Sequence, residues 1–316
     1  GAMRLHRPPV LRRGDEVALL CPSGPVRGEE ELAGCVAALE ALGLRPRVGR
    51  HALERLDYLA GTDEQRAADL NDAFRDEKAR AIFCVRGGYG AARLLPLLDF
   101  AALRRAPKLF VGFSDLTALH EAIHRHAGLA TLHAATVAMA HVNEGLAAES
   151  LAALEHVLLD ARPLGSIARA LHHSAGRPLV PGVARGPLAG GNLTVLASIL
   201  GSPHARPPHG AILFLEDVGE EPYRLDRCLT QLRLAGWLDA AAGLVLGQFT
   251  RCHSRKPGRL GARETLERCA GDLRIPVLMD FPAGHCRLNA PLLLGARATL
   301  DATGADLVVE QGLRPR

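Results

Sequence analysis

The feature that most constrains this chain is an alternation in its first half. Short apolar runs, each closed by a glycine- or proline-bearing turn, are separated by stretches with apolar residues at helical spacing. Residues 16–21 (EVALLC) read as a strand ending in Pro22, Ser23, Gly24 and Pro25, and residues 29–42 as a helix stopped by Gly43. The pattern continues with a strand at 45–48, a helix at 63–74 and a strand at 81–85 (AIFCV) broken by Gly87 and Gly88. A further strand at 108–112 (KLFVG) leads through Ser114 and Asp115 into a helix at 116–125. Strands spaced by helices pack as a parallel sheet covered on both faces, and such sheets bind ligands beyond the carboxyl ends of their strands.

The chain is long enough for about two domains. The expectation is an α/β protein with a parallel, doubly wound N-terminal domain of flavodoxin or Rossmann type over residues 4–142. An inter-domain helix and linker follow over 143–187, the helix at 143–161 and a Pro-, Gly- and His-rich connection at 162–187. Residues 188–316 form a second α/β domain with a mixed sheet or small barrel. In it, Gly190, Gly191 and Asn192 open a helical run at 190–200, followed by a strand at 210–217 (GAILFLED) and a helix at 223–235. Strands at 243–247 and 276–280 flank a helix at 263–269, and 298–301 and 306–310 read as closing strands.

Composition excludes several classes. The 48% hydrophobic and 23% charged content belongs to a folding, globular chain rather than a disordered one. A net charge of +4, scattered rather than striped, and 4% aromatic residues leave no basic face or stacking platform for nucleic acid. No apolar run approaches the roughly 18 residues of a membrane span. Seven cysteines without a CxxC pair fit reduced thiols in the cytoplasm. Gly1, Ala2 and Met3 read as the remnant of a cleaved tag, with Met3 the natural start.

Three residues end strands in positions suited to chemistry. Ser114 stands where a strand meets a helix, the geometry of a nucleophile elbow, although Leu116 occupies the place of the second glycine of GxSxG. A serine there equally serves as an ordinary helix cap. Glu216 closes an apolar strand, and His285 follows another in the loop Phe281, Pro282, Ala283, Gly284. Their order, Ser, Glu, His, is that of hydrolase triads. The turn Arg86, Gly87, Gly88, Tyr89, Gly90 lacks the GxGxxG spacing of a dinucleotide site but lets backbone amides approach an oxyanion. A competing motif, His120, Glu121, Ala122, Ile123, His124, spells HExxH on a helix. It reads either as a zinc-peptidase site, with His126, His133 or His141 as third ligand, or as the polar face of that helix.

Taken together, RGGYG at 86–90, GFSDLTAL at 112–119, GGNL at 190–193, LEDVGE at 215–220 with Tyr223 and Asp226, and PAGH at 282–285 resemble the LD-carboxypeptidases. That family comprises muramoyltetrapeptide carboxypeptidases and the related microcin C self-immunity peptidases. The resemblance implies a serine peptidase with Ser114 as nucleophile, His285 as general base and Glu216 as its orienting acid. It further implies an oxyanion hole from the amides of Gly88 and Asp115, and no metal or cofactor. The implied reaction releases D-alanine from murein tetrapeptides after meso-diaminopimelate or lysine, in peptidoglycan recycling, by a homodimer. Arg86 and Asn192 are the expected substrate contacts, while Tyr223 and Asp226 either contribute or simply pack and cap their helix. The alternative within the family, cleavage of a peptide–nucleotide amide, calls for an aromatic platform, and Trp237, expected between a helix and a strand, is the sole tryptophan.

Overall fold

The N-terminal βα units form as their patterning dictates: the apolar runs at 17–20, 81–84 and 109–112 are too brief for a buried helix and lie buried as strands, while the polar run at 45–48 takes the sheet edge. In the computed structural model, which describes residues 4–135 and 145–316, they are β1 (Glu16–Leu20), α1 (Glu29–Ala41), β2 (Arg45–Val48), α2 (Asp63–Arg75) and β3 (Ala81–Cys84). A 3₁₀ segment (Ala91–Leu97), α3 (Phe100–Arg105) and β4 (Leu109–Gly112) come next. A 3₁₀ turn (Ser114–Leu116), α4 (Thr117–Ala127) and β5 (Thr131–His133) complete the set. A full capping box starts α2, with Thr62 accepting from the Gln65 amide and Gln65 answering the Thr62 amide. The parallel strands lie in the order β2-β1-β3-β4-β5, the flavodoxin-like arrangement with its switch point between β1 and β3.

The second half carries α5 (Ala148–Leu159), β6 (Gly165–Ser166), α6 (Ile167–Leu171), β7 (Arg177–Val180) and β8 (Val183–Asn192). Then come α7 (Leu193–Ile199), β9 (Ile212–Val218), α8 (Pro222–Leu234), α9 (Trp237–Ala240), β10 (Gly243–Thr250) and α10 (Ala262–Ala270). The last strands are β11 (Val277–Met279), β12 (Leu292–Leu294), β13 (Arg297–Asp301) and β14 (Asp306–Val309). Eight of the strands form an open mixed sheet in the order β6-β14-β13-β8-β9-β10-β11-β7, so of the two expected forms the mixed sheet is found and the barrel is not. Its centre, β8 to β11, is parallel.

Several expectations need correction. The stretch 162–187, read as a connection, contributes β6, β7 and the start of β8 to the second sheet; short edge strands holding Pro178 leave little periodic signal. The helix expected at 143–161 is α5, and residues 143 and 144, the 142/143 boundary and His141 lie outside the described residues. Gly190, Gly191 and Asn192 end β8, and Asn192 then caps the expected helix, α7, which starts at Leu193 and not at 190. A Cβ on Gly190 would overlap the Phe214 carbonyl oxygen of β9, so glycine there serves close strand approach. β12 leaves the C-terminal half and pairs antiparallel with β5, adding a sixth strand to the first sheet. One buried apolar cluster runs through both sheets, joining Leu19, Phe83 and Leu132 to Phe214, Leu278 and Leu300.

Candidate active site

Three loops converge at the carboxyl ends of the strands. After β4, Phe113 is extended and Ser114 takes φ +62, a left-handed conformation that costs a β-substituted residue energy and turns its hydroxyl out of the strand line. The neighbouring turn accommodates it because residue 87 is glycine: a Cβ there would stand 2.9 Å from Ser114 Cβ and 3.1 Å from its Oγ. Asp115, next along, points inward, its Oδ2 accepting from Ser23 Oγ (2.6 Å) and the Ala91 amide (2.9 Å). Burial pushes this carboxyl above the usual range, while the two donors pull it back. One carboxylate thus ties the turns after β1 and β3 to the elbow.

Arg66, 1% exposed on α2, reinforces that tie, donating to the carbonyls of Pro22 (2.8 Å), Gly90 (2.9 Å) and Gly61 (3.2 Å) and pairing with Asp63. Neither Arg66 nor Ser23 stood out in the sequence, since a lone arginine in an amphipathic helix looks like a surface charge. Arg86 is half-buried and donates to the Pro25 carbonyl (2.8 Å). The Gly88 amide, with φ +114, has no acceptor among the described residues.

From the other sheet, β9 brings Glu216, fully buried, and Asp217. Asn192, at the end of β8, donates from Nδ2 to Glu216 Oε1 and Asp217 Oδ1, both at 3.2 Å, and its Oδ1 caps α7 through the Val195 amide. Its amide is therefore committed to holding the acid, a different placement from the substrate contact expected of it. Asp217 is held by the Thr194 amide and hydroxyl, and burial raises its carboxyl above the ordinary value.

His285 sits on the segment between β11 and β12, which are anchored in different sheets. Gly284, at φ +126, leaves room for Glu216, whose Cβ and Oε2 would lie 3.0 and 3.1 Å from a Cβ at that position. Asn289 Nδ2 donates to the Gly284 carbonyl (2.6 Å) and Thr250 Oγ1 to that of His285 (2.7 Å), fixing the loop. The imidazole Nδ1 lies 2.7 Å from Glu216 Oε2 and Nε2 lies 3.1 Å from Ser114 Oγ. Phe113 packs on the ring at 4.7 Å between centroids. This arrangement puts the proton on Nδ1 and leaves Nε2 to accept from the serine hydroxyl. Residues expected from three separate strand ends are thus brought within hydrogen-bond reach of one another.

The HExxH residues lie elsewhere. His120 engages Thr131 Oγ1 through Nδ1 (2.6 Å) and the Gly112 carbonyl through Nε2 (2.8 Å), and His124 Nε2 reaches the same Thr131 hydroxyl (2.8 Å). With both nitrogens of His120 committed to the sheet, the pair braces α4 against β4 and β5. Among the described residues, no group of three His, Cys, Asp or Glu side chains is disposed to hold a metal. Burial depresses His120 to about 4 and His124 to about 3, below the ordinary 6.5. The unfolded chain therefore binds the extra protons, and the stability these neutral rings contribute is complete above pH 6.5 and lost as pH falls below it. His124→Gln should melt below the wild type at neutral pH, with the gap narrowing as the buffer is taken toward pH 4.5; a constant gap would show that His124 titrates normally.

Tyr223 is exposed at the start of α8 with Arg224 and Arg227 over its ring, and Asp226 accepts from Thr230. Both line a groove with Lys256 and Arg259.

Residues 17–134 match the N-terminal domain of the LD-carboxypeptidases and residues 185–300 their C-terminal domain. A Streptomyces coelicolor relative that bears a carboxypeptidase name is 45% identical, with 97% of each chain covered. The murein tetrapeptide carboxypeptidase of Pseudomonas aeruginosa is 37% identical over 90% of this chain and 92% of its own. The solved muramoyltetrapeptide carboxypeptidase of Oxalobacter formigenes superposes with a TM-score of 0.83 at 28% identity, covering 95% of this chain and all of that one. Two sheets, matched domain by domain along nearly the whole sequence, make this chain a member of the LD-carboxypeptidase family and a hydrolase of the carboxypeptidase class.

Proposed function

We propose that this protein is a serine LD-carboxypeptidase that removes the terminal D-alanine of murein tetrapeptides, after meso-diaminopimelate or lysine. In this reading it works in the cytoplasm, in peptidoglycan recycling, as a homodimer and without metal or cofactor. The observation that carries the reading is the relay from Ser114 through His285 to buried Glu216, with steps of 3.1 and 2.7 Å. A serine hydroxyl is scarcely ionised at neutral pH, so attack on the scissile carbonyl requires Nε2 of His285 to take its proton as the Oγ–C bond forms. Glu216 stabilises the resulting imidazolium, which returns the proton to the departing D-alanine amine. Water, deprotonated by the same imidazole, then cleaves the acyl-enzyme.

The amides of Gly88 and Asp115 are assigned to the oxyanion, where loss of one donor typically costs about 3 kcal/mol. Arg86, beside that turn, is assigned to the substrate's terminal carboxylate, a planar fork for a planar acid. In this division of labour, 4–142 supplies the nucleophile and amides and 188–316 the acid and base, with 143–187 between them. Among the described residues no helix is long and apolar enough to cross a membrane, and the seven cysteines are unbridged, in keeping with the reading. Trp237 is only 2% exposed, which removes it as a platform for the nucleobase of a peptide–nucleotide substrate.

The test is to incubate the protein with L-Ala-D-Glu-meso-diaminopimelate-D-Ala, with and without EDTA, and follow D-alanine by mass spectrometry. Release indifferent to EDTA is expected; loss with EDTA would overturn the serine mechanism, and cleavage of a peptide–nucleotide amide in its place would overturn the substrate. A finer check is Gly87→Ala, whose methyl would press on Ser114. A displacement of order 1 Å at the nucleophile lowers kcat about 100-fold, and unchanged turnover would show that the close approach does not position it.

A further inference from the structure

The catalytic relay stands at the start of α4, whereas the far end of the same helix borders a second, unassigned cavity. It has a volume of about 380 Å³, within the range of small-molecule sites, and is walled by apolar residues including Leu5, Leu188, Pro207 and Pro208. Thr117 and Arg125 are eight residues apart, about 12 Å along a helix axis, so this cavity and the cleft lie toward opposite ends of α4.

Two features of its lining are unexplained by folding alone. Glu121 is only 8% exposed and has no hydrogen-bond or ion-pair partner among the described residues. Its carboxyl oxygens are open to the cavity and free to meet a ligand there. Arg125, one turn on, buries an Nε without a partner, and the same cavity is lined by Arg206 and by His204, itself bonded to His126. A neighbouring concavity, which shares Leu5 and Arg125 with it, bears Arg4, Arg7, Arg104 and Arg314 and no acidic side chain. None of these six arginines forms an ion pair among the described residues, although the chain pairs many of its other arginines. Burial also lifts Glu121 to about 8, so at neutral pH it is a neutral O–H donor rather than a competing negative charge.

We propose that this cavity is a second ligand site, taking a small organic anion whose apolar body lies against Leu188 and Pro207 and whose phosphate or carboxylate group lies between Arg125 and Arg206. Guanidinium pairs bind such groups by charge-assisted forked hydrogen bonds, and protonated Glu121 donates to an acceptor on the ligand body. The site is independent of the catalytic reading.

The probe is 4-fluorophenyl phosphate, titrated into the wild-type protein and followed by fluorine NMR, with neutral 4-fluorobenzyl alcohol as comparison. The anion is expected to bind at least tenfold more tightly than the alcohol. Arg125→Gln combined with Arg206→Gln should weaken the anion by at least tenfold at an unchanged melting temperature. Glu121→Gln, which keeps a neutral donor, should bind as the wild type. No detectable binding, equal binding of the neutral ring, or full retention in the double variant would overturn the proposal. Loss of binding in Glu121→Gln would also overturn it, by showing that a neutral donor at this position does not suffice for the anion.

Discussion

Replacing Ser114 with alanine is expected to lower kcat by about 10⁴-fold or more while leaving substrate affinity and melting temperature near those of the wild type. The size follows from the hydroxyl's role in the proposed mechanism: without Oγ there is no acyl-enzyme, and what survives is the rate supplied by binding and by the amides assigned to the oxyanion. The fold should not suffer, since Ser114 holds an unfavourable left-handed conformation, φ +62, and alanine tolerates it no worse. Burst kinetics sharpen the experiment. An activated ester should give a stoichiometric burst with the wild type and none with the variant, and a fluorophosphonate should label Ser114 alone. Turnover within tenfold of wild type, or label on another serine, would remove Ser114 from the chemistry.

Glu216→Gln should come next, at about 10³- to 10⁴-fold in kcat. Glutamine is nearly isosteric, so packing is retained, but its NH₂ group can face Nδ1 of His285 and stabilise the tautomer that carries its proton on Nε2. That tautomer cannot accept from Ser114. Glutamine also brings no charge to stabilise the imidazolium formed during attack. Because Asn192 already donates to Oε1, the amide oxygen of the variant is drawn toward Asn192, which turns its NH₂ toward the imidazole. Single-turnover acylation should fall as far as kcat with KM little changed. A loss confined to KM would mean that Glu216 contacts substrate instead of orienting the base.

The sequence made β1, β3 and β4 legible because each is a continuous apolar run closed by a turn residue, whereas β5, only three residues (TLH), gave no such signal. Glu216 was legible for a related reason, since an acid following apolar strand positions has few places to go, while Ser114 and His285 were read from their turns at strand ends and from the motifs around them. What stayed hidden depends on partners remote in the chain. Ser23 and Arg66 look unremarkable until the Asp115 carboxylate and the Gly90 carbonyl arrive beside them. The role of Asn192 toward Glu216 and Asp217 was hidden for the same reason, and its glycine neighbours serve close packing against Phe214 and Thr117. HExxH shows the converse: helical spacing brings two histidines to one face, and only the position of Thr131 on the next strand reveals that the face looks into the sheet.

The crossing of β12 into the first sheet also governs how the protein is made. During synthesis β5 emerges about 160 residues before the strand that will cover its edge, so the nascent first sheet must wait with an open hydrogen-bonding border while the second is translated. Such a border invites pairing with other chains, and the burden of avoiding it falls on whatever occupies β5 in the interim. The last strand to dock in the first sheet follows directly on the loop carrying His285, so competence for chemistry arrives only when the chain is nearly complete. In the proposed mechanism, a half-made molecule therefore holds its serine without the base that would arm it.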